Sequence, residues 1–237
     1  MIVPDVRTSL RYAGGFLLFA AIYVVAGRLG FAASAVHPVV SSAWPPSGIA
    51  LAALLLVGFR FWPAITLGAF IVNVTHGISP LASSAIAVGN TLEAVTAAWL
   101  LTGLAGFQPS LERLRDVLSL TVFGAIGSTA IAATIGTAAL TLSGAAPVDS
   151  ASTIWFAWYT GDAIGILIVT TFILAWSTGA GPGSTKRSPG EAIILGVVLI
   201  GSTIPLFQTP FSYVYAIFPV TIWAAIRFGP RGAATTK

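Results

Sequence analysis

The chain has 237 residues, of which 56% are hydrophobic and only 8% are charged, and its mean hydropathy is +0.93. Soluble domains carry about 25% charged residues, so this composition excludes a soluble globular protein and indicates an integral membrane protein. The net charge of +4 comes from loop residues and does not indicate nucleic-acid binding, and the absence of cysteine excludes disulfides and thiolate metal sites.

Apolar runs separated by Gly, Pro or charged residues predict an all-α, polytopic transmembrane bundle. About eight spans are expected, in one integral-membrane domain that covers residues 1–237, and the first span is expected to be retained rather than cleaved as a signal peptide. The runs lie at 10–30, 46–60, 63–77, 80–103, 116–143, 153–176, 190–207 and 212–227. The third run is the shortest, and the fifth is longer than one crossing requires.

The second run is expected to form a short span that just crosses the hydrocarbon core. Trp44, Pro45 and Pro46 precede it on the outer side, and Pro46 fits a first helical turn because its missing N–H would be unpaired there. Arg60 follows it, where a long cationic side chain reaches the headgroups. Pro63 then begins the next helix almost at once.

The distribution of basic residues predicts the orientation of the bundle. In an eight-span arrangement only Arg28 falls on the outer side, so both termini are expected in the cytoplasm. The basic residues expected on the inner side are Arg7, Arg11, Arg60, Arg113, Arg115, Lys186, Arg187, Arg227, Arg231 and Lys237.

Two of the loop and helix patterns have simple structural interpretations. Gly124, Ser128, Ala132 and Gly136 recur every four residues along the fifth span, which predicts a face of small residues that a neighbouring helix approaches closely. The stretch 179–186 is rich in Gly and predicts a flexible cytoplasmic linker, and it lacks the setting of a phosphate-binding loop.

Two carboxylates fall in the middle of predicted spans, where charged groups are costly and commonly functional. Glu93 lies about 15 Å from the cytoplasmic end of the fourth span, and Asp162 lies about 14 Å from the outer end of the sixth. Asn90 shares a helix face with Glu93, and the spacing places Trp155 and Trp158 on the face of Asp162. The sequence therefore predicts that these carboxylates lie at one depth.

This set has two interpretations that the sequence leaves open. In the first, a small pocket opens outward, with Trp155 and Trp158 as its sides, Glu93 and Asp162 as anionic anchors, and room for a cation or amine. In the second, the polar groups only hydrogen-bond between helices and fix their packing. The ligand-binding candidates are Asn73, Asn90, Glu93, Trp155, Trp158 and Asp162, and the rim or structural candidates are Trp44, Pro45, Pro46, Arg60 and Arg227.

Catalysis, metal binding and cofactor binding have little support in the sequence. No Ser or Cys nucleophile accompanies a nearby His, and His37 and His76 are expected at the outer surface as solvated or capping residues. Both lysines are expected in the cytoplasm, so neither is placed to bind retinal as a Schiff base. We expect no cofactor and no metal.

Several motifs together resemble the type-one membrane-associated sensor family (MASE). They are Trp44-Pro45-Pro46-Ser47-Gly48, Gly58 with Arg60 and Trp62-Pro63, Gly68 with Asn73, Gly89-Asn90-Thr91-Leu92-Glu93, Trp99-Leu100, Trp158 with Gly161-Asp162 and Gly165, and Arg227-Phe228-Gly229-Pro230. Each motif alone is unspecific, but their order and spacing from about residue 10 to 234 carry the resemblance.

The resemblance implies a bacterial inner-membrane input domain without catalytic activity of its own. Such domains are attached to cytoplasmic outputs, chiefly histidine kinases and cyclic-di-GMP enzymes, and no motif of such an output occurs in this chain. The expected partners are the lipid bilayer, a small-molecule ligand, a C-terminal or separate signalling output and a second copy in a homodimer. A small-solute transporter or substrate-capture subunit is the alternative, and a module that assembles with another membrane protein is a third interpretation.

Overall fold

A computed structural model describes residues 6–32, 43–178 and 194 of the chain, with side chains from Tyr12 onward. Within these ranges there are six helices and no strand, which confirms the prediction of an all-α fold. The helices are α1 (Val6–Ala32), α2 (Pro45–Leu56), α3 (Trp62–Thr75), α4 (Pro80–Leu104), α5 (Leu114–Leu142) and α6 (Val148–Ser177).

Four of these helices are long and apolar enough to cross a membrane, namely α1 from Tyr12 onward, α4, α5 and α6. Each of the first six predicted runs coincides with one helix, with boundaries that differ by a few residues. The predicted spans at 190–207 and 212–227 and the linker at 179–186 lie outside the described residues. The count of eight spans therefore stays a prediction.

Helix α2 is shorter than the span that the sequence predicts at 46–60. It has 12 residues and ends at Leu56, because Gly58 adopts a φ of +106° and residues Phe59–Phe61 form a 3-10 turn. Twelve residues rise about 18 Å, whereas a hydrocarbon core is about 30 Å thick. The expectation that this helix alone crosses the membrane is corrected: it is a half-length helix.

The half-length helix lies in the middle of the bundle. Five helices pack in the order α1, α3, α4, α5 and α6, each against the next. Helix α2 lies between them and contacts α1, α4 and α6. Its sequence is made almost entirely of Ala, Leu, Gly and Pro, so it has no polar face to turn toward water. An apolar helix of this kind is buried in protein or faces lipid, and here most of its residues are buried among the neighbouring helices.

Large aromatic side chains fit against glycines of the neighbouring helices. A Cβ atom on Gly68 would lie 2.9 Å from Tyr23, and one on Gly136 would lie 2.4 Å from the ring of Trp158. Gly124 and Ala132 of the predicted small-residue face also lie in close contacts with other helices. The small-residue face of α5 is therefore confirmed as a packing surface.

A compact loop joins α4 and α5. Arg113 donates two hydrogen bonds of 2.7 Å to the carboxylate of Asp116, and the Gln108 N–H donates to the same carboxylate at 3.1 Å. Arg113 also donates to the Gly106 carbonyl at 2.9 Å. The hydrogen bonds to Asp116 raise the pKa of the Arg113 guanidinium. This loop is held by its own polar contacts.

Most of the described arginines lie at one end of the bundle. The Tyr12 hydroxyl donates to the Arg60 carbonyl at 2.7 Å, so α1 and α3 begin at the same end. Because short connections make α3 to α6 alternate in direction, the loop with Arg113 and Arg115 lies at that end as well. Arg28, near the last residue of α1, lies toward the other end. Which end faces the cytoplasm stays a prediction.

Candidate functional site

Helix α2 begins beside the middle of α6, not at an end of the bundle. The Trp44 N–H donates to the Gly161 carbonyl at 2.9 Å, and Gly161 lies 13 residues after Val148, or about 20 Å along the 30-residue helix. Pro45 and Pro46 occupy the first two helical positions and contribute no N–H group. The N-terminus of α2 therefore lies in the interior of the bundle.

Two carboxyl groups meet at this start. The Ser47 hydroxyl donates to Asp162 Oδ1 at 2.9 Å, and the Glu93 carboxyl lies close enough to interact with both Asp162 and Ser47. Asp162 is 0% exposed and Glu93 is 1% exposed. Helices α2, α4 and α6 thus each contribute one polar side chain to an enclosed cluster, in which Glu93 and Asp162, predicted to lie at one depth, are close to each other.

A tyrosine and an amide extend this cluster. Asn90 Nδ2 donates to the Tyr23 hydroxyl at 3.2 Å, and that hydroxyl also lies near the Trp44 indole. Tyr23 is fully buried. We call Tyr23, Ser47, Asn90, Glu93 and Asp162 the polar cluster. Its five side chains come from four helices.

Three oxygen atoms of the polar cluster are buried with no hydrogen-bond partner among the described residues: Asn90 Oδ1, Glu93 Oε2 and Asp162 Oδ2. Buried polar atoms are nearly always hydrogen-bonded, because leaving one unpaired costs about 1–3 kcal/mol. All three atoms are hydrogen-bond acceptors. The Trp158 indole N–H and one proton shared between the two carboxyl groups are the donors near them, and these do not supply a donor to every one of the three atoms.

No basic side chain of the described ranges compensates the carboxyl groups. Within those ranges the only ion pair is that between Arg113 and Asp116, in the loop that joins α4 and α5. Arg28 and Arg60 are exposed, and Arg60 lies over the rings of Tyr12 and Phe61. Within those ranges no group of three or more His, Asp or Glu side chains forms a metal site.

The two predicted tryptophans have different positions. Trp158 packs against Gly136 of α5 and interacts with the Asp162 carboxyl. Trp155 points elsewhere: its indole N–H donates to the Thr134 hydroxyl at 3.0 Å, and its ring stacks on Tyr159 at 5.1 Å. Trp158 therefore borders the polar cluster, and Trp155 has its contacts on α5 and on its own helix.

The remaining candidates make contacts other than with the carboxyl groups, or lie outside the described residues. Asn73 is buried, and its Nδ2 donates to the Ala69 carbonyl of its own helix at 2.8 Å. Trp44 is only 7% exposed, against Gly27, Gly30 and Phe31, so it is a core residue in this structure. Arg227 lies outside the described residues. Whether any candidate binds a ligand stays a prediction.

Sequence reasoning did not identify Tyr23 or the role of Ser47. Tyr23 lies in a long apolar run and has no polar neighbour in sequence that marks it. Ser47 carried a signal, because it and Arg60 are the polar residues between Pro46 and Trp62. Its pairing with Asp162 could not be predicted, since the pairing depends on α2 starting halfway along α6.

The sequence profile of one family, MASE1, matches residues 16–236 and thus nearly the whole chain. The chain belongs to the MASE1 family. MASE1 is a family of membrane-associated sensory domains, so this domain is a sensory input domain rather than a catalytic one. The resemblance drawn from the motifs is confirmed. Comparisons of this MASE1 domain with curated proteins and with solved structures gave no match.

Proposed function

We propose that this MASE1 domain detects a small ligand at the polar cluster and regulates a cytoplasmic output, either a histidine kinase or a cyclic-di-GMP enzyme. The output is C-terminal to the domain or a separate protein. One observation carries the proposal: Glu93 and Asp162 meet in an enclosed site, and each keeps an oxygen atom that has no hydrogen-bond partner among the described residues. Such atoms in a sensory domain are the natural contacts of a ligand.

The contacts of α2 provide a route from the site to the rest of the chain. Beyond Asp162, helix α6 contains a π-helical segment at Ile166–Thr170. The Thr170 hydroxyl in this segment donates to the Gly48 carbonyl at 3.0 Å. A ligand that binds one arrangement of α2 and α6 better than another shifts the population toward it. Because α6 leads toward the C-terminal part of the chain, such a shift is transmitted in the direction of the output.

The proposal includes the location of the domain. It spans the bacterial inner membrane about eight times, with both termini in the cytoplasm, and it functions as a homodimer. Support comes from the four long apolar helices and from the arginines gathered at one end of the bundle. This orientation places the expected output on the cytoplasmic side.

Signalling in the native bacterium tests the proposal. Strains that carry Glu93→Gln or Asp162→Asn are compared with wild type and with Asp149→Asn, an exposed carboxylate in the turn before α6. Cellular cyclic-di-GMP and the transcripts that change when the gene is deleted are measured at equal membrane abundance. Both site variants are expected to alter the output, and the control is not. Wild-type output from both site variants would refute the proposal.

A small-solute transporter remains the second candidate, and one observation favours it. A half-length helix that starts at mid-bundle beside buried carboxyl groups is an arrangement that transporters use at their substrate sites. Uptake of radiolabelled Na⁺ and methylamine into liposomes that contain the purified chain separates the two functions. A sensor shows no uptake above that of empty liposomes.

A further inference from the structure

The unpartnered atoms of the polar cluster define the chemistry of what it binds. Asn90 Oδ1, Glu93 Oε2 and Asp162 Oδ2 are all oxygen acceptors, and the hydroxyl oxygens of Ser47 and Tyr23 lie beside them. Oxygen donors without sulfur or imidazole suit hard cations, not zinc or copper. The amide oxygen of Asn90 carries no net charge, and it too is buried with no hydrogen-bond partner in the part of the chain that the structure describes.

The charge of the polar cluster also favours a bound cation. Glu93 and Asp162 face each other without a basic side chain near them in the described ranges, so a bound cation would relieve their repulsion. One monovalent cation together with one proton on either carboxyl group makes the pair neutral. A divalent cation sheds its water reluctantly and usually takes more carboxylate and water ligands than this enclosed pair offers.

The packing around the cluster limits the size of the occupant. A Cβ on Gly165 would lie 2.0 Å from the Trp44 carbonyl oxygen, and one on Gly136 would lie 2.4 Å from the Trp158 ring. With Glu93 and Asp162 at most 1% exposed, the arrangement leaves no access for an organic molecule. The close packing and the burial of both carboxyl groups therefore favour an occupant no larger than a single ion.

We propose that the polar cluster is a binding site for one small monovalent metal cation, held by Glu93, Asp162, Asn90 and the Ser47 hydroxyl. The inference rests on the proposed function and makes it specific: the ligand is an ion. Helix α2 supplies the Ser47 ligand from its first turn, so occupancy of the site is linked to the position of α2 against α6.

Equilibrium binding of radiolabelled Na⁺ to the full chain in lipid nanodiscs tests this inference, at pH 7.5 with choline chloride keeping the ionic strength constant. Saturable binding of one Na⁺ per chain is expected, with K⁺ competing more weakly than unlabelled Na⁺. Glu93→Gln and Asp162→Asn are expected to lower the affinity at least about tenfold, as when a buried charged partner is removed. Asp149→Asn, whose carboxylate is exposed, is the matched control and is expected to bind like wild type.

Ser47→Ala keeps the test decisive if the carboxyl variants do not fold. This variant keeps both carboxyl groups and removes one hydroxyl, and its folding is checked by tryptophan fluorescence during thermal unfolding. About tenfold weaker Na⁺ binding is expected. Unchanged affinity in folded Ser47→Ala, no saturable Na⁺ binding in wild type, or tighter binding of Ca²⁺ than of Na⁺ would each overturn the inference.

The two proposals fail in different ways. If Na⁺ does not bind but Glu93→Gln and Asp162→Asn alter signalling, the cation site is refuted and the sensory function stands. If Na⁺ binds and both variants signal like wild type, the cation site stands and the sensory role of the polar cluster is refuted.

Discussion

A Cβ atom on Gly48 would lie 2.2 Å from the carbonyl oxygen of Gly165, so α2 and α6 touch backbone to backbone at this point. Gly165 is equally close to the residue before α2, since a Cβ on Gly165 would lie 2.0 Å from the Trp44 carbonyl oxygen. Hydrogen bonds from Trp44 and Thr170 lie on either side of this contact. The half-length helix is thus fixed against α6 at the level of Asp162.

Replacing either glycine of this contact is expected to destabilise the domain. Gly48→Ala or Gly165→Ala drives a methyl group into backbone atoms, which cannot turn aside as a flexible side chain does. We expect the free energy of unfolding to fall by about 2–3 kcal/mol, the upper part of the range for overpacking. Denaturant unfolding in detergent, followed by tryptophan fluorescence, measures the change.

Gly14→Ala is the matched control for these substitutions. Gly14 lies in α1 with nothing within 4 Å of an added Cβ, so alanine there is expected to leave stability unchanged or to raise it slightly. Equal stability of the Gly14, Gly48 and Gly165 variants would show that α2 does not touch α6 in this way.

The helices could be predicted from the sequence, because each apolar run was bounded by Pro, Gly or charge. Pro45 and Pro80 begin helices as their fixed φ allows, and Gly58, with its positive φ, lies where the chain leaves α2. What could not be predicted is the depth in the bundle at which α2 begins. Hydropathy gives the length of an apolar run, but only the contact of Trp44 with Gly161 shows that α2 starts halfway along α6.

Glu93 and Asp162 are expected to show energetic coupling in a double-mutant cycle. Their carboxyl groups interact directly, so Glu93→Gln changes the environment that Asp162→Asn then acts on. We expect a coupling of about 1 kcal/mol or more in the free energy of unfolding, as for buried groups in contact. The control cycle pairs Glu93→Gln with Asp149→Asn and should be additive within about 0.5 kcal/mol. Additivity in both cycles would contradict the approach of the two carboxyl groups.

Sequence spacing predicted one face for Trp155, Trp158 and Asp162, but the structure separates the two tryptophans. Positions three and four apart on a helix are neighbours, yet the direction of a large ring depends on which small residue lies opposite. Gly136 gives room to Trp158, whereas Trp155 finds a hydrogen-bond acceptor in Thr134. Such choices depend on the neighbouring helix and are not contained in the spacing.

Trp158→Phe and Trp155→Phe are therefore expected to differ. The first leaves unfilled space against Gly136 and removes an interaction with Asp162, so we expect a loss of about 1–2 kcal/mol in the free energy of unfolding. The second removes a hydrogen bond near the surface and is expected to change stability by at most about 0.5 kcal/mol. A larger loss at Trp155 would reverse the assignment of the two rings.

The orientation of the bundle is expected to place Arg60 in the cytoplasm and Asp149 outside. The chain contains no cysteine, so Arg60→Cys and Asp149→Cys each introduce a single thiol at an exposed position in a turn at opposite ends of the bundle. In intact cells with a permeabilised outer membrane, a membrane-impermeant maleimide should label the Asp149→Cys protein and leave the Arg60→Cys protein unlabelled. Both should react after detergent lysis, which controls for reactivity. Labelling of the Arg60→Cys protein alone would invert the orientation and place the end of the bundle with Arg113 and Arg115 on the outside, against the positive-inside rule.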